Sequence, residues 1–174
     1  MFLTQKTIPN LISLSRIIML VAIYWLFETN PATAFLIFLL AALTDWFDGL
    51  AARWLNAQSE LGAILDPLAD KILYVGTLWI LSFILPIYWT FVFTVIPEAL
   101  LVAIRFPPLK TWFSPKIPAT SIGKIKMWLQ CLAIIFMMLW TVSEIPALLV
   151  LGITLANISI VFSWWSLWSH FQNR

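Results

Sequence analysis

The chain has 174 residues, of which 62% are hydrophobic and only 10% charged, with a formal net charge of +2. A soluble domain carries about 25% charged residues; this composition excludes one and points to an all-α integral membrane protein, a single domain over 1–174. One cysteine, Cys131, rules out an intrachain disulfide, and with one histidine, His170, His/Cys zinc chemistry and Cys–His catalysis are disfavoured.

About 20 apolar residues cross the hydrocarbon core as a helix, and six segments qualify. The first runs from about Ile8 to Phe27, with Pro9 near its start. No small-residue cleavage site follows it, as expected of a retained span rather than a signal peptide. The second runs from Pro31 to about Trp54, and the third from near Leu61 to before Pro86. The fourth covers Ile87 to about Arg105, the fifth Ser121 to Val142, and the sixth Ile145 to about Trp168. Between the fourth and fifth, Pro107, Pro108, Pro115 and Pro118 predict an extended or turn-like link. Eleven tryptophans suit interfacial aromatic belts.

The basic residues sort by side. Lys6 precedes span one, Arg53 and Lys71 flank the turn between spans two and three, and Arg174 ends the chain. Arg105, Lys110, Lys116, Lys124 and Lys126 surround the link between spans four and five. The connections around Glu28, Pro86 and Glu144 hold no Lys or Arg. This positive-inside pattern predicts six transmembrane helices with both termini cytoplasmic; the expected location is a bacterial-type cytoplasmic membrane. No internal repeat suggests an inverted-repeat transporter.

Four of the eight acidic residues fall in one stretch: Asp45, Asp48, Asp66 and Asp70. A charge at membrane depth is costly and marks a functional site. Four of one sign require cations, and oxygen donors suit hard divalent metals. Asp45 and Asp48 are three apart and Asp66 and Asp70 four apart, so each pair shares a helix face. Antiparallel packing of spans two and three would bring the pairs together. Two metals about 4 Å apart form the usual clamp for displacement at phosphorus. Gly49, Ala52 and Gly62 remove bulk beside the acids, and Arg53 offers a planar fork for phosphate oxygens. The plain alternative, an interfacial cap such as Asp66 before Pro67, explains one acid but not the set.

The stretch from Asp45 to Asp70 reads D-x2-D-G-x2-A-R-x8-G-x3-D-x3-D. It resembles the signature of the CDP-alcohol phosphatidyltransferases at every fixed position. The six-span layout is similar too, so the resemblance covers essentially the whole chain. It implies transfer of a phosphatidyl group from CDP-diacylglycerol to an alcohol, with release of CMP. It further implies two divalent cations, Mg²⁺ or Mn²⁺, on Asp45, Asp48, Asp66 and Asp70, with Asp70 as general base. Gly49, Ala52, Arg53 and Gly62 would line the CDP-lipid site, facing the cytoplasm. A homodimer is implied as well; no nucleic-acid partner is expected.

The acceptor is read from other segments. Thr7-Ile8-Pro9-Asn10-Leu11 with Ser13-Leu14-Ser15-Arg16 is similar to the start of the glycerophosphate-using members and of cardiolipin synthases. Gly123-Lys124-Ile125-Lys126 with Gln130 is closer to the glycerophosphate-using members, which implies glycerol 3-phosphate. Its phosphate would draw on Arg105, Lys124 and Lys126, although cytoplasmic loops are basic in any case. One departure is Pro97 before Glu98, where those members carry Arg. Arg16 and Glu98, the remaining charges within spans, either pair with each other or leave Arg16 at the donor headgroup. The competing classes are a cardiolipin synthase taking phosphatidylglycerol, a cation transporter, and an inactive membrane scaffold. Clustering of the acids at one end of two spans disfavours transport, and the intact motif disfavours a scaffold.

Overall fold

The computed structural model describes the backbone of residues 2–55, 60–104 and 121–172, and the side chains of 14–44, 68–104 and 123–169. It is all-helical over these residues, with six helices: α1 Phe2–Phe27, α2 Pro31–Leu55, α3 Glu60–Ser82, α4 Tyr88–Ala103, α5 Ser121–Ser143 and α6 Pro146–Gln172. Five of the six expected segments match these bounds to within a few residues. α1 is the exception, because it begins well before Ile8 and continues through the position of Pro9. Residues 2–7 contain neither Gly nor Pro, so nothing in them breaks a helix, while Pro9 removes one ladder bond and crowds the turn before it.

The turns have local causes. Asn30 caps α2, its Oδ1 accepting from the Thr33 amide at 3.1 Å, and Pro31 occupies the first helical position, where no amide is needed. The α5–α6 turn uses Glu144 at φ 56°, the left-handed residue that ends α5, followed by Pro146 at the start of α6. The Glu144 amide donates to the Trp140 carbonyl at 2.7 Å.

The chain divides into two compact units, Met1–Ile80 and Leu81–Arg174. In the first, α1 packs on α2, and the buried residues recur every three or four positions on α2 (Ala34, Phe38, Ala41). α1 also meets α3. A methyl group on Gly76 would lie 2.4 Å from Leu20 Cδ2, so the missing side chain admits Leu20. Arg16, one turn before Leu20, meets Asp70, which precedes Gly76. These contacts come in the same order along both helices, so α1 and α3 run parallel, as alternate members of an up-down series must.

The second unit has the same alternation. α4 and α5 both pack on α6. Thr90 meets Asn157 and Glu98 meets Ser163, making α4 and α6 parallel. Gly152 lies against Ala133 and Met137, while Ser163 shares a partner with Lys126, making α5 antiparallel to α6. Other interior hydroxyls satisfy themselves on their own helix: Thr77 donates to the Leu73 carbonyl at 2.8 Å and Thr94 to the Thr90 carbonyl at 2.7 Å. Such back-bonding lets a hydroxyl sit where no water reaches. Outward faces carry large apolar side chains, among them Trp25, Trp89, Trp128, Trp165 and Trp168. Among the described residues, Gly123–Ser143 and Pro146–Ser169 are long and apolar enough to cross a membrane; Leu14–Phe27, Pro31–Thr44 and Tyr88–Ala103 are shorter apolar stretches.

Candidate active site

The aspartate stretch lies on α2 and α3 of the first unit. Asp45 and Asp48 fall in the C-terminal part of α2, and Asp66 and Asp70 in the N-terminal half of α3. The backbone of both segments is helical. The side chains of Asp45, Asp48, Asp66, Gly49, Ala52, Arg53 and Gly62 lie outside the described residues, and so does Arg105. Among the described residues no group of three or more His, Cys, Asp or Glu could hold a metal ion.

Asp70 is described, and its setting is specific. Its carboxylate is partly exposed, at 21%, whereas the side chain of Arg16 is fully buried. Arg16 Nη1 donates to Asp70 Oδ1 at 2.5 Å, linking α1 to α3. A buried guanidinium needs an anion close by, and a charge-assisted bond to a carboxylate is the strongest form of that contact. The guanidinium thus lies on the interior side of an acid that itself reaches the surface.

A second polar cluster lies inside the other unit. Glu98 Oε1 accepts from Lys126 Nζ at 2.7 Å, from Gln130 Nε2 at 2.9 Å and from Ser163 Oγ at 2.9 Å. Glu98, Lys126, Gln130 and Ser163 are all buried, and they come from α4, α5 and α6. Lys126 and Gln130 are four apart, so one face of α5 supplies both donors. Arg16 and Glu98, offered to each other by sequence, therefore each have a partner of their own. Of the two lysines considered for an acceptor, Lys124 is exposed and Lys126 is buried against Glu98.

Ser163 escaped the sequence reading. The signal was present: Ser159, Ser163 and Ser166 recur at spacings of four and three in an apolar helix, and all three are buried. A stripe of hydroxyls on one face of such a helix marks the side that meets other helices.

The model of the CDP-alcohol phosphatidyltransferase family matches residues 6–168, running through both units. The chain belongs to the CDP-alcohol phosphatidyltransferase family. It is an enzyme of that class by descent. It is 31% identical to a CDP-diacylglycerol–glycerol-3-phosphate 3-phosphatidyltransferase of Sodalis glossinidius (strain morsitans), over 95% of this chain and 93% of the relative. Relatives of the same name from Blochmanniella floridana and Salmonella choleraesuis (strain SC-B67) are 32% and 33% identical. These alignments cover 92% and 94% of this chain, and 86% and 92% of the relatives. In this transferase, then, the Asp70–Arg16 pair joins the family's acidic motif to the first helix.

Proposed function

We propose that the protein transfers a phosphatidyl group from CDP-diacylglycerol to glycerol 3-phosphate and releases CMP. The observation that carries this reading is similarity along nearly the whole chain, at 31–33% identity, to transferases named for that reaction. The intact acidic motif supports it.

The donor set fits hard divalent cations, since Asp45, Asp48, Asp66 and Asp70 are all oxygen donors. The partial exposure of Asp70 fits as well, because a ligand can reach it. Bound there, two Mg²⁺ or Mn²⁺ ions supply positive charge to the diphosphate. Asp70 takes the proton of the acceptor hydroxyl as its oxygen attacks the phosphatidyl phosphorus. The bond from that phosphorus to the CMP oxygen breaks, and CMP leaves. Arg53 holds the diphosphate oxygens, and Gly49, Ala52 and Gly62 leave room for the cytidine diphosphate beside the helices.

On the acceptor side, Lys124 and Arg105 supply net positive charge for the phosphate of glycerol 3-phosphate. Lys126 contributes only as a hydrogen-bond donor, because Glu98 balances its charge. That balance, with Pro97 in the place of an arginine, favours a second reading in which the acceptor is phosphatidylglycerol. The distribution of Lys and Arg supports six spans with both termini and the active site cytoplasmic. The parallel order of α1 with α3 and of α4 with α6 supports the same topology.

Purified protein supplied with CDP-diacylglycerol and Mg²⁺ is expected to release CMP with glycerol 3-phosphate. The same assay is run with phosphatidylglycerol, inositol phosphate and serine. Release with phosphatidylglycerol alone would establish the second reading, and no release with any acceptor would remove the activity altogether.

A further inference from the structure

We propose that Arg16 is a positioning residue for the transfer reaction: it holds the carboxylate of Asp70 in the orientation that cation binding and proton transfer require. This rests on the reading of Asp70 as cation ligand and base. Neither the acidic motif nor the similarity to known transferases assigns Arg16 a role.

Three features carry the inference. First, the partner is specific. Among the described residues, Arg16 bonds the last aspartate of the motif, 54 residues away on another helix. Second, burial is graded along the pair. The arginine side chain is 0% exposed and the aspartate 21%, so Arg16 stands behind Asp70 and acts through it. Third, the approach of α1 to α3 is built in. Gly76 lacks the side chain that would displace Leu20, and Leu20 lies one turn beyond Arg16. The planar fork of arginine fixes direction as well as charge, which a flexible ammonium does not. Carboxylates that bind metals are themselves held by hydrogen bonds, and loss of such a partner typically costs about 10–100-fold in metal affinity or activity.

The test compares wild type with Arg16→Gln and Arg16→Lys in detergent. Mn²⁺ binding is followed by electron paramagnetic resonance, CMP release by steady-state kinetics, and folding by tryptophan fluorescence on heating. Arg16→Gln is expected to raise the half-saturating Mn²⁺ concentration about 10–100-fold. It should lower kcat at saturating Mn²⁺ while changing the KM for CDP-diacylglycerol little. Arg16→Lys keeps a charged donor and should fall between the two. A brace with no bearing on the chemistry would lower only the unfolding temperature, leaving Mn²⁺ affinity and kcat per folded molecule at wild-type values. That result overturns the inference, as does tighter Mn²⁺ binding by Arg16→Gln. If Arg16→Gln does not fold, Arg16→Lys decides on the same measurements. A wild type that neither binds Mn²⁺ nor releases CMP defeats the proposed reaction and this inference with it. A wild type that does both, with variants that match it, defeats the inference alone.

Discussion

Glu98 shows how a single oxygen can organise a membrane-type interior. Three donors from two helices converge on Oε1, and the ammonium among them balances the carboxylate charge. Breaking a buried pair costs more than the pair contributes, because the remaining charge is left stranded. Glu98→Ala should therefore destabilise the protein by about 3–5 kcal/mol, read as a shift in thermal unfolding. Adding Lys126→Met should recover part of that loss; additive losses would show that the two residues do not act as a pair. Arg16 and Glu98 were both legible in the sequence as costly charges, but their partners were not. The sequence offered the two to each other, or Arg16 to the donor headgroup, whereas helix packing gives Arg16 the carboxylate of Asp70 and Glu98 the ammonium of Lys126.

Single helices are more legible. Lengths of apolar runs and the prolines at 31 and 146 set the helix bounds, because Pro at the first helical position needs no amide partner. What sequence could not convey is where helices touch, which depends on single missing atoms. A β-carbon on Gly152 would lie 2.6 Å from Met137 Cγ and 3.0 Å from the Ala133 carbonyl oxygen. That oxygen and the Met137 nitrogen, also at 3.0 Å, are backbone and cannot rotate away, so Gly152→Ala should push α6 from α5 and cost about 1–3 kcal/mol. At Gly76 the nearest atoms to an added methyl all belong to the Leu20 side chain, Cδ2, Cδ1 and Cγ, which a rotamer change can move. Gly76→Ala should accordingly cost less. Paired unfolding measurements check the order, and equal losses would mean that backbone contact is not what sets the cost at Gly152.

For the molecule as a whole, orientation is the property that composition and topology address together. With Cys131 replaced, a cysteine introduced at Glu28 or Glu144 should react with an impermeant maleimide in intact cells. One introduced at Lys6 should react only after permeabilisation; the reverse pattern would invert the assignment of sides. The acidic motif stands out in the sequence because its spacing is so particular, whereas the side chains of three of its four acids lie outside the described residues. The Arg16–Asp70 pair also has a consequence for biogenesis. The ribosome delivers α1 with its guanidinium long before it makes the carboxylate on α3. An arginine at mid-helix costs about 2.5–3.5 kcal/mol on entering the bilayer through the translocon. On the proposed six-span topology the first helix would arrive as a poor anchor, to be sheltered by the insertion machinery until the third emerges, and the hairpin of α1 and α2 by itself would be an unfinished product.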